Sequence, residues 1–170
     1  EAATNEQIDI VVMIQGDEPM LTPAMITAAV VPLLQDQELN IANLMATMKS
    51  KEEHEDPAEV KVVVDKNNYA LYFSREPIPS RKKGVDNVPM LKQVCIIPFR
   101  RNFLLEYNRM EQTPLEIIES VDMNRLLENG IKIKMVFRNE ETYSVDTQHD
   151  LENVNAKMKN DPLVKEYLNK

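Results

Sequence analysis

Five consecutive apolar residues, Ile10-Val11-Val12-Met13-Ile14, stop abruptly at Gln15-Gly16-Asp17-Glu18-Pro19. A run of this length without alternation reads as a strand covered on both faces inside a parallel sheet, because neither face offers solvent a polar side chain. Thr22-Pro23 then supplies an N-cap and a first helical position. The helix they open is predicted to bury Ile26, Val30, Leu33 and Leu34, and to kink or end early at Pro32. This succession places residues 15–19 at the carboxyl end of a strand, where open α/β sheets bind their ligands.

The rest of the chain continues the alternation. Residues 41–48 read as a strand, and Ser50-Lys51-Glu52-Glu53 has capping-box spacing for a short helix before Pro57. Residues 60–65 and 69–74, rich in β-branched and aromatic side chains, flank Lys66-Asn67-Asn68 and predict a β-hairpin. Residues 92–98 read as one further strand, and 102–110 and 114–129 as helices, the second closed by Gly130. Ile131, Ile133, Met135 and Phe137 alternate with polar residues, as in a half-buried strand. Thr147 and Asp150 cap a further helix, and Pro162 opens a last one. The order predicts one α/β domain over residues 1–170, a mixed sheet with a hairpin insertion.

At 170 residues, 43% hydrophobic and 28% charged, the chain suits a single globular core. A net charge of −8 gives no general attraction for phosphate backbones, which argues against nucleic-acid binding. No apolar run approaches the length of a membrane span, so no membrane partner is expected. Cys95 is the one cysteine, which excludes an intrachain disulfide and suits a reducing, cytoplasmic setting. The first residue is Glu1 rather than Met, which leaves room for an upstream segment.

Several residues can carry chemistry. Asp17 and Glu18 offer hard oxygen ligands suited to Mg²⁺, and Gly16 permits an unusual backbone or a close ligand approach. An acidic strand-to-helix turn without a ligand is the other reading. Asp146, in Ser144-Val145-Asp146-Thr147, is either helix-terminal charge or a second ligand converging with Asp17. Arg75 ends a hairpin strand, where its guanidinium would grip a carboxylate or form a surface ion pair. Arg81-Lys82-Lys83 reads as a solvated loop able to close over phosphate. His54 and His149 read as surface residues, and Cys95 as a small buried residue rather than a nucleophile.

Gln15-Gly16-Asp17-Glu18-Pro19-Met20, Val60-Lys61-Val62-Val63, Tyr69 through Arg75 with Ile78-Pro79, Thr113-Pro114-Leu115-Glu116 with Ile118-Glu119, and Val145-Asp146-Thr147 with Asp150-Leu151 line up in order with one family. Over nearly its whole length the chain resembles the 3-deoxy-manno-octulosonate (Kdo) cytidylyltransferases. The resemblance implies a Rossmann-like nucleotide-diphospho-sugar transferase fold. It implies attack of the anomeric hydroxyl of an acidic eight-carbon sugar on the α-phosphate of CTP, with pyrophosphate as leaving group, for lipopolysaccharide synthesis. It implies Mg²⁺ as cofactor, Asp17 and Asp146 as metal-binding catalytic aspartates, Arg75 meeting the sugar, and Gln15 as a positioning residue. It also implies a homodimer, with residues 90–115 the region to search for the partner.

Three departures accompany it. The family's opening strand and basic, glycine-containing triphosphate loop have no counterpart here, so if Glu1 is the true start this chain alone is not expected to turn over. Gln93-Val94-Cys95 stands where the family commonly has His-Leu-Gly, and Asp122-Met123 where it has Glu-Gln. Gln93 and Asp122 therefore fall at sugar-pocket positions, and leave Kdo, its 8-amino form or another acidic sugar as the substrate. An inactive sugar-binding module and a metal-dependent glycosyltransferase are the readings from other classes.

Overall fold

The strand sealed on both faces is the second one. In the computed structural model, which describes residues 7–85, 87–145 and 147–168, β2 (Ala42–Thr47) is buried along all but its last residue. Its even-numbered side chains, Leu44 and Ala46, pack with Met25 and Ala29 of α1 (Pro23–Gln35). Ile41 and Met45 pack instead with Phe103, Tyr107 and Leu126, from α3 (Arg101–Tyr107) and α5 (Met123–Glu128). Each such fully buried aliphatic or aromatic side chain contributes roughly 2 kcal/mol relative to its exposed state.

β1 (Ile10–Ile14) differs from its sequence reading. It pairs antiparallel with β6 (Ile96–Arg100), Ile10 opposite Arg100 and Ile14 opposite Ile96, and is only partly buried. The apolar run encodes a demand for burial but not the direction of a neighbour. A five-stranded mixed sheet follows the order β4 (Ala70–Ser74), β3 (Lys61–Val64), β5 (Leu91–Val94), β2, β7 (Lys134–Phe137), with only β2 and β7 parallel. β3 and β4 form the expected hairpin, with Asn68 in the left-handed region at its turn.

Two elements read as continuous are interrupted. Residues 92–98 form β5 and β6 in different sheets, because Cys95 leaves the ladder: its N–H donates to Glu18 Oε1 at 3.1 Å and its C=O accepts from Gln15 N–H at 3.4 Å. Residues 114–129 form α4 (Pro114–Glu119) and α5, broken at Ser120, which sits at φ +52°. Gly130, at φ +73°, closes α5 as expected.

Helix ends follow their caps. Thr22 Oγ1 accepts from Met25 N–H at 3.3 Å, and α1 runs past Pro32 to Gln35, because that proline removes a bond only near the last turn. Leu34 is exposed, while Met25 and Ala29 carry the buried stripe with Leu33. Ser50 caps α2 (Lys51–Glu55), accepting from Glu53 N–H. Thr147 and Asp150 form the capping box of α6 (Gln148–Met158), and α7 (Pro162–Leu168) follows.

A candidate active site at the carboxyl end of the first strand

Gln15, Asp17, Arg75, Gln93 and Asp122 come from four separate stretches of the chain and line one cavity of about 430 Å³. β1 delivers Gln15 and Asp17, β4 delivers Arg75, β5 delivers Gln93, and the turn between α4 and α5 delivers Asp122. Asp146 lies outside the described residues. Its neighbour Val145 donates its N–H to the Asp17 carbonyl at 2.9 Å, so the chain before α6 reaches the acidic turn. A larger hollow of about 1260 Å³ lies at the opposite end of β1, against Leu33 and Arg100, and holds none of the motif residues.

The acidic turn is unevenly satisfied. Asp17 is exposed, whereas Glu18 is half-buried, with Oε1 on Cys95 N–H and Oε2 buried without a partner among the described residues. Burial raises the Glu18 carboxyl above its ordinary value, against the Cys95 hydrogen bond, and the Asp17 charge adds to the rise. Gly16 is not in the left-handed region, and a Cβ there would meet nothing within 4 Å, so backbone strain does not require glycine; the space beside it is open.

Arg75 is anchored rather than free. Its Nε donates to Glu119 C=O at 2.8 Å, Nη1 to Pro57 and Ala58 C=O at 2.8 and 3.3 Å, and Nη2 to Ser120 C=O at 3.3 Å. Four hydrogen bonds to carbonyls occupy most of its five donors and tie the 57–58 loop to the Ser120 turn. Lys61 works beside it: fully buried, its Nζ donates to the carbonyls of Asp56, Glu59 and Arg75, and burial lowers its pKa. The Glu119 carboxylate accepts from Tyr72 OH at 2.7 Å, Ser74 OH at 3.0 Å and Arg75 N–H at 2.8 Å. Burial alone would raise that carboxyl, but these bonds bring it below its ordinary value.

Gln93 is buried at 9% exposure and donates Nε2–H to Asn43 Oδ1 at 2.7 Å. Burial raises the Asp122 carboxyl, opposed by the Met123 N–H, and pushes the Cys95 thiol far above its ordinary range, so Cys95 stays protonated and is no nucleophile. Lys92 pairs with Glu53 and Glu59 at 2.9 and 3.0 Å, holding Glu59 at the cavity wall.

Four contributors escaped the sequence reading. Glu59 and Asn43 carry no local signal, and Lys61 and Glu119 entered only as members of the segments that carry the family resemblance, with no role attached. His54 is fully buried, not on the surface: Nε2 donates to Ile78 C=O at 2.9 Å and Nδ1 accepts from Arg81 Nε–H at 3.1 Å. Arg81 also pairs with Glu55, so of the basic run only Lys82 and Lys83 stand in solvent; His149 is exposed as read.

Among the described residues no three His, Cys, Asp or Glu side chains cluster as a metal cage. Mg²⁺ needs less, since one or two carboxylates, substrate phosphate and water suffice. An exposed Asp17 beside a Glu18 oxygen that has no partner among the described residues fits that donor chemistry.

A family model described as cytidylyltransferase matches residues 1–133. The chain is 43% identical over 149 residues to a 3-deoxy-manno-octulosonate cytidylyltransferase of Fusobacterium nucleatum subsp. nucleatum, covering 87% of this chain and 60% of that protein. It is 41% identical over 169 residues to one of Trichlorobacter lovleyi, covering 94% and 67%. It thus spans about 60 to 67% of the length of these relatives. A solved CMP:2-keto-3-deoxy-manno-octonic acid synthetase complexed with CTP superposes with a TM-score of 0.85 at 34% identity, over 93% of this chain and 65% of that one. A glucose-1-phosphate thymidylyltransferase from Bacillus anthracis, described as putative, shares the fold at a TM-score of 0.60 and 15% identity.

Proposed function

Because the chain belongs to the cytidylyltransferase family, we propose that the cavity beyond β1 is the sugar and metal side of a site that moves CMP from CTP to the anomeric hydroxyl of Kdo. The sugar oxygen forms a bond to the α-phosphorus, the bond from that phosphorus to the pyrophosphate oxygen breaks, and the hydroxyl proton is lost. The observation that carries this reading is the convergence of Gln15, Asp17, Arg75, Gln93 and Asp122 on one cavity.

Asp17, with Asp146 as the second carboxylate, would hold magnesium, whose chemistry is to neutralise charge developing on the transferred phosphorus. The protein's own groups bind and orient. Asp122, its carboxyl raised by burial, meets sugar hydroxyls as an acceptor. Arg75 acts chiefly by fixing the Ser120 turn on which Asp122 depends, with at most one donor left for the sugar. Gln15, on the strand end, positions substrate at the same cavity.

The same reading places the enzyme in the cytoplasm, making an activated sugar for lipopolysaccharide, as a homodimer. Its lone thiol supports the compartment, and exposed Ile117 and Ile118 on α4, just beyond residues 90–115, support a partner surface there. No helix among the described residues is long and apolar enough to cross a membrane.

Pyrophosphate release by the native protein tests the proposal. Release should require CTP, Kdo and Mg²⁺ together, and stop when any one is omitted. Release from CTP without sugar, or none with all three, contradicts it.

A further inference from the structure

Asn43 is fully buried on β2. Its Nδ2 donates to the carbonyls of Val94, Leu44 and Ile96 at 2.7, 3.1 and 3.4 Å. Those three acceptors fix which end of the amide is nitrogen, since a flipped amide would set oxygen against three oxygens. Asn43 Oδ1 is therefore an obligatory acceptor, and Gln93 satisfies it with Nε2–H at 2.7 Å. The same logic then fixes Gln93. With nitrogen turned to Asn43 and the backbone N–H given to Val60 C=O, Gln93 is left with Oε1, which has no partner among the described residues. Gln93 lines the cavity.

We infer that Asn43 and Gln93 form a specificity-determining pair that presents a single amide oxygen to the sugar, so that the group seated there is a hydrogen-bond donor, a hydroxyl or a protonated amine. A carboxylate or phosphate oxygen placed against Gln93 would set lone pair against lone pair in a buried site, so the sugar's own carboxylate is excluded from this corner. The rest of the lining sharpens the preference. Apart from Asp17 and Glu18 on the metal side, Glu59 and Asp122 line the cavity, while Arg75, the one cation among its described lining residues, is bound to carbonyls. Such a wall attracts a positive donor more strongly than a neutral one. A side chain that accepts at Gln93 while donating to Asn43 is the whole requirement. An imidazole meets it too, with one ring N–H on Asn43 and the other nitrogen facing the sugar.

The inference rests on the sugar-transfer reading, and one set of kinetics separates the two. The native protein is given CTP, Mg²⁺ and either Kdo, Kdo analogues lacking one hydroxyl at a time, or the 8-amino analogue. Wild type should penalise loss of one hydroxyl by about tenfold or more in kcat/KM, through the sugar KM and with the KM for CTP unchanged. In Gln93→Met that one penalty should fall below about twofold while the others persist. Gln93→His should restore it. If the amine replaces the hydroxyl that Gln93 reads, wild type should use the amino analogue at least as well as the parent, and Gln93→Met should lose that advantage. A Gln93→Met variant that slows all sugars alike, or that shifts the KM for CTP, overturns the inference while leaving sugar transfer intact. Absence of sugar-dependent pyrophosphate release in wild type overturns the transfer reading and the inference together. Should Gln93→Met fail to fold, Gln93→His decides: loss of all discrimination among hydroxyls in that folded variant also overturns the pair.

Discussion

The two walls of the cavity are built on opposite terms. Around Arg75 and Glu119 the polar groups meet: the guanidinium lies on four carbonyls, the carboxylate receives three donors, and the acid is held below its ordinary pKa. Around Asp17 and Glu18 they do not: one carboxylate is exposed, the other keeps a buried oxygen without a partner among the described residues, and its acid is raised. The first wall is organised for stability, the second for a ligand with positive charge. A satisfied network gains little from a ligand, whereas an incompletely satisfied acidic turn gains much.

This contrast predicts which measurement each substitution moves. Asp17→Asn should lower turnover by about 100-fold or more, equivalent to ~3 kcal/mol of barrier, while melting temperature stays within error, because Asp17 is exposed. Undiminished turnover would remove Asp17 from the metal side. Glu119→Leu should do the reverse in kind. It strands Tyr72 OH, Ser74 OH and Arg75 N–H, costs about 2 kcal/mol in denaturant unfolding, and lowers turnover in step with the loss of the Ser120 turn. Arg75→Lys should cost about 1 kcal/mol, since an ammonium cannot span four carbonyls set in a fork; an unchanged stability would return Arg75 to a purely ligand-facing role.

The smallest effect is the most diagnostic, because its sign differs between the walls. Glu119 is lowered from 4.5, so its contribution is present above that pH and is lost as pH falls through the lowered value. Glu18 is raised from 4.5, so its penalty is absent below that pH and grows as pH rises through the raised value. Glu18→Gln, which keeps an acceptor for Cys95 N–H, should therefore stabilise the protein near neutral pH by under ~1 kcal/mol, a gain that vanishes below about pH 4.5. Urea unfolding of wild type and variant across pH 4 to 8 reads this directly; a loss of stability at neutral pH would refute the strained carboxylate.

Much of this was legible where physics is local. The Thr22-Pro23 start, the Ser50 and Thr147 caps, the hairpin around Asn68 and the Gly130 stop depend on a few neighbouring residues, and each forms as read. The acidic turn was legible through its position after an apolar run. What escaped depends on contacts across the sheet. Residues 92–98 look like one strand until Glu18, 77 positions away from Cys95, takes its N–H. Ser120 adopts a left-handed backbone that costs a non-glycine residue about 1 kcal/mol, and Arg75, 45 positions away, holds its carbonyl. His54 and Asn43 carry polar side chains whose burial is explained only by Ile78, Arg81 and Gln93 arriving from elsewhere. Asp17 and Arg75, read alike as ligand-facing residues, prove to stand in opposite circumstances.

The central claim is that the open wall serves transfer of a cytidylyl group to an acidic sugar. Mass spectrometry of the native protein incubated with CTP, Kdo and Mg²⁺ tests it most directly. The predicted result is one CMP–sugar adduct formed per pyrophosphate released; pyrophosphate without the adduct, or an adduct carrying more than one phosphate, would contradict it.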